Sequence, residues 1–275
     1  MKTIGSTIIM LALASSLFAD NGKELKLASP DGTHEIVFYQ KQVSPAVNEL
    51  CYRVDYKSQP VVNESRAGLE LDNRIWEMAL GVRNLKQPAC WMDNLEVDSV
   101  TYQPETNLTW QPLYGERSSV RDHYRAGTLC LSKKDNSGYR LNIEVRAYNE
   151  GVAFRYFFPE HPKAIFHKVV GDLTEYALPA GTKAWTEQWA QAFFERLNID
   201  DIKHPVERAL TFELPNGKWA ALADADVDDW CLTKYLVSTD KKNTLTSVMY
   251  SPVDVVTYYA TPWKKIGRAS CRETV

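Results

Sequence analysis

The stretch from Arg140 to Pro159 constrains the fold more than any other. Leu141, Ile143, Val145 and Ala147 alternate with Arg140, Asn142, Glu144 and Arg146. After Asn149-Glu150-Gly151 the alternation resumes as Val152, Phe154, Tyr156 and Phe158, with Ala153 and Arg155 between them. A period of two places one set of side chains on one face, as a half-buried strand requires. Asn149-Glu150-Gly151 reads as a short turn ending in the residue that best tolerates positive φ. The expectation is a long antiparallel hairpin with one apolar face, which a second layer must cover. The chain is therefore expected to be all-β, a sandwich centred on this hairpin, with no chemistry in the hairpin itself.

Shorter stretches repeat the pattern. Leu25 to Leu27, Glu35 to Gln42 and Leu50 to Lys57 read as strands, the first two separated by the turn Ser29-Pro30-Asp31-Gly32. Leu50, Tyr52, Val54 and Tyr56 fall on one face. Thr109 to Tyr114 and Val120 to Ser132 read as further strands, and so do segments from Phe166 to Leu178 and from Ala209 to Tyr259. Residues 73 to 93 are less regular, and a helical or coil excursion is expected around Trp76, Leu80 and Trp91. Residues 184 to 204 break the strand pattern: Trp185, Trp189, Ala192, Phe193 and Leu197 recur at threes and fours, as in a short helix or irregular loop. An irregular segment inside a β-fold is a common place for function.

The two ends differ from the rest. Met1-Lys2, the apolar run Ile8 to Ala14 and Ala19 before Asp20 read as a signal peptide over residues 1–19, and the main domain is expected over 20–266. The apolar run is too short for a membrane span, so a periplasmic or secreted protein is expected. Residues 267–275 are polar, lack periodicity and carry Cys271, and read as a non-native or disordered tail. Five cysteines are widely spaced, which fits neither zinc nor redox motifs. Net charge is -3 and the basic residues are scattered, which argues against nucleic acid as a partner.

Three groups of residues carry candidate chemistry. Glu187, Gln191 and Glu195 are spaced four apart and share one face if their segment is helical. Oxygen ligands there, beside Trp185, Trp189, Phe193 and Phe194, suit a cation or a polar ligand; an ordinary polar surface helix is the plainer reading. Glu116, Arg121, Asp122 and His123 form a dense polar set, suited to sugar oxygens or to a local network. Ser118, His123 and Asp122 make a triad on paper, but no nucleophile elbow surrounds any serine. Asp224, Asp226, Asp228 and Asp229 invite a calcium reading, yet lack the glycine and terminal glutamate of an EF-hand loop.

Several pieces in order resemble the N-terminal domain of glycoside hydrolase family 97. They are Ser29-Pro30-Asp31-Gly32, Ser65 to Leu71, Trp110 to Glu116, Arg121 to Tyr124, Arg146 to Pro159 and Thr261-Pro262-Trp263-Lys264. The resemblance covers about residues 24 to 266. It implies a β-supersandwich like that of galactose mutarotase-type domains, with few short helices. It further implies a following (β/α)8 barrel that holds the catalytic residues, calcium dependence, and exo-acting α-glucosidase or α-galactosidase activity on oligosaccharide. This domain is then non-catalytic and inactive alone, packs on the barrel and shapes its sugar site. The family's domain lends a glutamate to the calcium site; ungapped alignment places Gln191 there, a one-turn shift places Glu195, and Glu187 is a further substitute. Glu116, Arg121, His123 and Trp189 are the candidate substrate-binding residues. The alternative is a stand-alone carbohydrate-binding or mutarotase/epimerase-like protein, with His123 and Glu116 as acid and base.

Overall fold

The computed structural model describes residues 23–45, 47–72, 89–90, 94–133, 138–161 and 166–268. The expected signal peptide, the excursion around Trp76, Leu80 and Trp91, and the end of the expected tail lie outside the described residues.

The central hairpin forms as the alternation requires. Arg140–Tyr148 pairs antiparallel with Gly151–Phe158, Tyr148 opposite Gly151, so Asn149 and Glu150 alone make the turn. Leu141, Ile143, Val145, Ala147, Phe154, Tyr156 and Phe158 are buried. Gly151 does not serve the purpose expected of it: it sits in the strand and is not among the glycines with positive φ. It is small because the last strand, Trp263–Arg268, crosses it closely. A Cβ on Gly151 would lie 2.4 Å from the Gly267 Cα and 2.6 Å from the Ile266 carbonyl oxygen. Gly267 and Arg268, placed by sequence in a tail, are thus part of the sandwich.

Around the hairpin grows a sheet of eleven strands. On one side follow Trp263–Arg268, Trp219–Ala225, Leu210–Glu213, Lys183–Thr186 and Glu195–Asn198. On the other side lies Val120–Lys133, which pairs with Leu95–Tyr102 along one end and with Thr106–Trp110 along the other. The strand expected at Thr109 to Tyr114 therefore starts earlier, and the residues after Trp110 are an exposed loop. Three smaller sheets make the second layer. One is the meander Glu24–Ala28, His34–Ser44, Val47–Tyr56 and Gln59–Arg66. The second joins Val253–Val255, His167–Asp172, Leu69–Leu71 and Ala89–Cys90; the third joins Glu175–Ala177, Thr244–Met249 and Thr233–Val237. Helix is limited, among the described residues, to the 3-10 turn Ile199–Asp201. The fold is all-β, as the alternation demands.

One continuous core joins the layers. Phe38 and Tyr52 from the meander meet Phe154 from the hairpin, with ring centroids 5.0 to 5.3 Å apart. Each fully buried ring stabilises the fold by about 1.5–3 kcal/mol relative to exposure. The core also holds charge. Lys264 pairs with Asp172, whose other oxygen accepts from Thr174 Oγ1 at 2.6 Å. Thr174 Oγ1 lies 2.7 Å from the Tyr156 hydroxyl. Burial opposes the Lys264 charge, but Asp172 beside it prevails and holds the ammonium above its usual range. Tyr52, Tyr156, Tyr176 and Tyr235 are pushed up by burial and stay protonated donors.

His167 packs among Phe158, Tyr139 and His161, its ring 5.0 Å from that of Phe158. Burial, then His161, pushes its pKa down to about 3. The unfolded chain therefore binds a proton that the folded chain refuses between about pH 6.5 and 3. Stability from this group is complete above the unfolded value and falls with pH. The expected loss is about 2 kcal/mol between pH 7 and pH 5. Urea melts at those two pH values check it: His167→Phe should reduce the drop, and an unchanged drop refutes the assignment.

Candidate functional site

The irregular segment of residues 184 to 204 is mostly a hairpin with an irregular loop at its tip, and its helix is limited to the 3-10 turn Ile199–Asp201. Lys183–Thr186 pairs with Glu195–Asn198, Thr186 opposite Glu195, and residues 187–194 form the loop. Burial alternates along the first strand: Ala184 and Thr186 point inward and Trp185 outward. That period of two wins over the threes and fours because both strands extend the large sheet. Glu187, Gln191 and Glu195 therefore share no helical face.

The loop is nonetheless fixed. The Ala192 N–H donates to the Trp189 carbonyl at 2.8 Å, closing a turn. The Glu187 carbonyl accepts from the Glu207 N–H at 2.8 Å, and the Gln188 carbonyl accepts from Lys234 Nζ at 2.8 Å. Lys234 is itself buried, paired with Glu207 at 2.6 Å, and lies 5.5 Å from the Tyr250 ring centroid. Between the loop and the segment from Ile202 to Val206 is a cleft of about 290 Å³. Its walls include Thr186, Trp189, Gln191, Phe193, Glu195 and His204. Phe193 is 93% exposed, Phe194 65% and Trp189 53%, an aromatic rim facing outward. Of the residues expected here, Trp189, Gln191 and Glu195 converge; Glu187 is not in the wall.

Calcium takes six to eight oxygen ligands in general. Among the described residues no group of three or more His, Cys, Asp or Glu side chains is placed to hold a metal. The cleft offers the Gln191 amide oxygen and the Glu195 carboxylate. That donor set fits a contribution to a shared site and does not fit a complete one.

Arg121 and His123 lie elsewhere, on Val120–Lys133. His123 Nε2 is 2.7 Å from Glu105, and Arg125 donates to the other Glu105 oxygen at 2.9 Å. His123, then Arg125, holds the Glu105 carboxyl below the usual carboxylate range. Arg121 donates to Asn107 at 2.9 Å. These contacts cross between Val120–Lys133 and its neighbour Thr106–Trp110, with Glu105 just before that neighbour, and form a local polar network that does not use Asp122 as partner of Arg121. Asp122 and His123 are consecutive on a strand and point to opposite faces, which removes the triad. Glu116 is in the exposed loop, next to Tyr114 and Leu113, which are 90% and 100% exposed. The Val120–Lys133 and Lys183–Thr186 strands are six steps apart in the sheet order, about 29 Å along the sheet. Trp189 therefore belongs to a different site from Arg121 and His123.

A third cluster escaped the sequence reading. The polar face of the central hairpin carries a ladder: the Arg146 guanidinium lies 4.6 Å from the Tyr124 ring centroid and 4.5 Å from that of Trp263. Arg155 lies 4.4 Å from Trp263, donates to Glu144 at 2.7 Å and reaches Asp226 at 3.2 Å. The available signal was the arginines at alternate polar positions of the hairpin. Two carboxylates of the acidic loop, Asp224 and Asp226, are taken up by such pairs. Asp224 accepts from Arg208 and Thr233 at 2.5 and 2.7 Å, and Tyr259 donates to the Asp228 carbonyl at 2.9 Å.

Cys51, Cys130 and Cys231 are free thiols. Burial pushes the Cys51 thiol up to about 11, so it is unreactive. No helix among the described residues is long and apolar enough to cross a membrane.

Comparison with known proteins places this architecture. A retaining alpha-galactosidase of Bacteroides thetaiotaomicron is 23% identical over 263 residues, which is 90% of this chain and 35% of that protein. A glycoside hydrolase family 97 enzyme from Pseudoalteromonas sp. strain K8, solved in complex with acarbose, superposes with a TM-score of 0.76 at 21% identity. That match covers 89% of this chain and 35% of the other. A beta-arabinopyranosidase structure superposes with a TM-score of 0.72 at 16% identity, over 89% of this chain and 40% of the other. The chain thus spans about a third of the length of the relatives it matches. The sequence profile described as glycosyl-hydrolase 97 N-terminal matches residues 27–270, nearly every residue of the sandwich, and on that match the chain belongs to the glycoside hydrolase family 97 N-terminal domain family.

Proposed function

We propose that this domain is a non-catalytic part of a calcium-dependent, exo-acting α-glycosidase, and that it packs against a catalytic barrel and shapes the barrel's carbohydrate site. The observation that carries the reading is the 187–194 loop: a pinned loop whose aromatic side chains point away from its own core, beside a cleft holding Gln191 and Glu195. Exposed Trp and Phe side chains around an otherwise satisfied loop are suited to burial against another domain. Glu195 supplies the carboxylate and Gln191 a neutral oxygen to a calcium ion whose remaining ligands come from the barrel. Bound there, the ion fixes ligand geometry and offsets negative charge. Trp189 faces an oligosaccharide with α-linked glucose or galactose. The leader-like residues 1–19 support a periplasmic or secreted location.

The test is hydrolysis of 4-nitrophenyl α-glucoside and α-galactoside, with and without calcium. The chain alone is expected to give no turnover. Joined to a family barrel, Glu195→Ala is expected to raise the calcium needed for half-maximal rate by about 10-fold or more; Gln191→Ala should do less. Turnover by the chain alone, or calcium dependence indifferent to both substitutions, overturns the proposal. A mutarotase-type reading is favoured by one observation, that His204 and Glu195 line the same cleft. Accelerated mutarotation of α-D-glucose by the chain alone would select it.

A further inference from the structure

A second cleft, remote in sequence from the first, opens between the two layers at the end of the sandwich. Its volume is about 310 Å³, at the lower end of small-molecule sites. The apolar floor comes from both layers: Val54 and Val61 from the meander, Ala220 and Ile266 from the large sheet. All four are buried core residues, so the cleft is a mouth of the core itself. Three rings line it: His34, Tyr56 and Trp219. The His34 and Tyr56 rings lie 4.7 Å apart, and Trp219 is 42% exposed.

The charge at the mouth has one sign. Lys218 lines the cleft and holds its ammonium 4.7 Å from the Tyr56 ring centroid; the Lys57 ammonium lies 5.3 Å from the same ring. Lys218 is kept there by a bond to Gln59 Oε1 at 3.3 Å, and Asn216 donates to the same oxygen at 2.9 Å. The turn before Trp219 is thereby pinned to the turn after Tyr56. Among the described residues no acidic side chain lines the cleft.

We propose that this cleft binds a small, flat aromatic molecule carrying a single acidic group, an aryl carboxylate or sulfonate. The ring enters between Trp219 and Tyr56 onto the aliphatic floor, and the acid group stays at the mouth against Lys218. A sugar is a poor match, because most of the lining offers no hydrogen-bonding group. The proposal is independent of the glycosidase reading, since none of its residues belongs to the 187–194 loop or its cleft.

The probe is 2-naphthalenesulfonate, titrated calorimetrically into the full chain. One site is expected, with a Kd on the order of 1 mM or tighter. Lys218→Gln is expected to weaken binding about 5-fold or more. Ala220→Leu, which fills the floor, is expected to abolish it, with a melting temperature measured alongside to show that the variant is folded. Trp219→Ala, at the exposed rim, tests ring stacking in a background that does not disturb the core. Absence of binding at millimolar probe overturns the proposal. So does binding indifferent to both Lys218→Gln and Trp219→Ala, or equal binding of glucose.

Discussion

Gly151→Val is expected to destabilise the chain by about 3 kcal/mol or more, enough to prevent accumulation of folded protein at 37 °C if the margin is ordinary. The cause is backbone against backbone. The nearest atoms to a new Cβ are the Gly267 Cα at 2.4 Å and the Ile266 carbonyl oxygen at 2.6 Å, which cannot rotate away as a side chain would. Relief requires the last strand to move off the hairpin, and that strand also pairs with Trp219–Ala225 through Ala220 to Ala225. Gly267→Val should act in the same direction, since its Cβ would meet the Glu150 carbonyl oxygen at 2.8 Å. Gly32→Ala is the control. Nothing lies within 4 Å of its Cβ, and only its φ of +71° is strained, a cost of about 1 kcal/mol. Urea unfolding of the three variants decides the matter, and a Gly151→Val midpoint equal to that of Gly32→Ala would remove the steric account.

Asp172→Ala is the second large effect, expected at about 3–5 kcal/mol. The Lys264 ammonium, Asp172 and Thr174 are all buried, and the pair spans the large sheet and the second layer. Removing the carboxylate leaves a charge that water cannot reach, and the Thr174 hydroxyl and amide lose their acceptor as well. For a domain of this length the melting temperature should fall by about 6–20 °C. The double variant Asp172→Leu with Lys264→Met separates two accounts. If the penalty is the stranded charge, the double variant recovers most of the loss, because a buried pair is often no better than apolar packing of similar volume. If the loss persists in the double variant, the pair itself was worth its stated energy and the stranded charge was not the main cost.

The polar ladder of Tyr124, Arg146, Trp263 and Arg155 shows how a reading of alternation divides labour between faces. The sequence marks one face of the central hairpin as apolar, and that face is the core. The opposite face reads only as polar. Its content depends on four strands lying side by side, from Val120–Lys133 through the two strands of the hairpin to Trp263–Arg268. No local window contains Tyr124 and Trp263 together. The same limit explains His123, whose partner is Glu105 across a strand pair and not the nearby Glu116. Glu187 fails for a related reason. A spacing of four means one face only on a helix, and residues 184 to 198 are a hairpin.

What the amino-acid order determined unaided was the kind of structure: strands, their inward faces, and the family pattern that runs from Ser29 to Lys264. Those follow from a period of two and from turn chemistry, both of which act over a few residues. What tertiary structure alone decided was which strands lie side by side. That choice made Gly151 a crossing point instead of a turn residue, buried Lys264 against Asp172, and drew Trp189, Gln191 and Glu195 to one cleft. The first two are contacts between segments distant along the chain, set by how two layers close over a shared core; the third follows from the hairpin that pairing in the large sheet gives residues 183–198, and a pattern read along one strand carries no record of its neighbour.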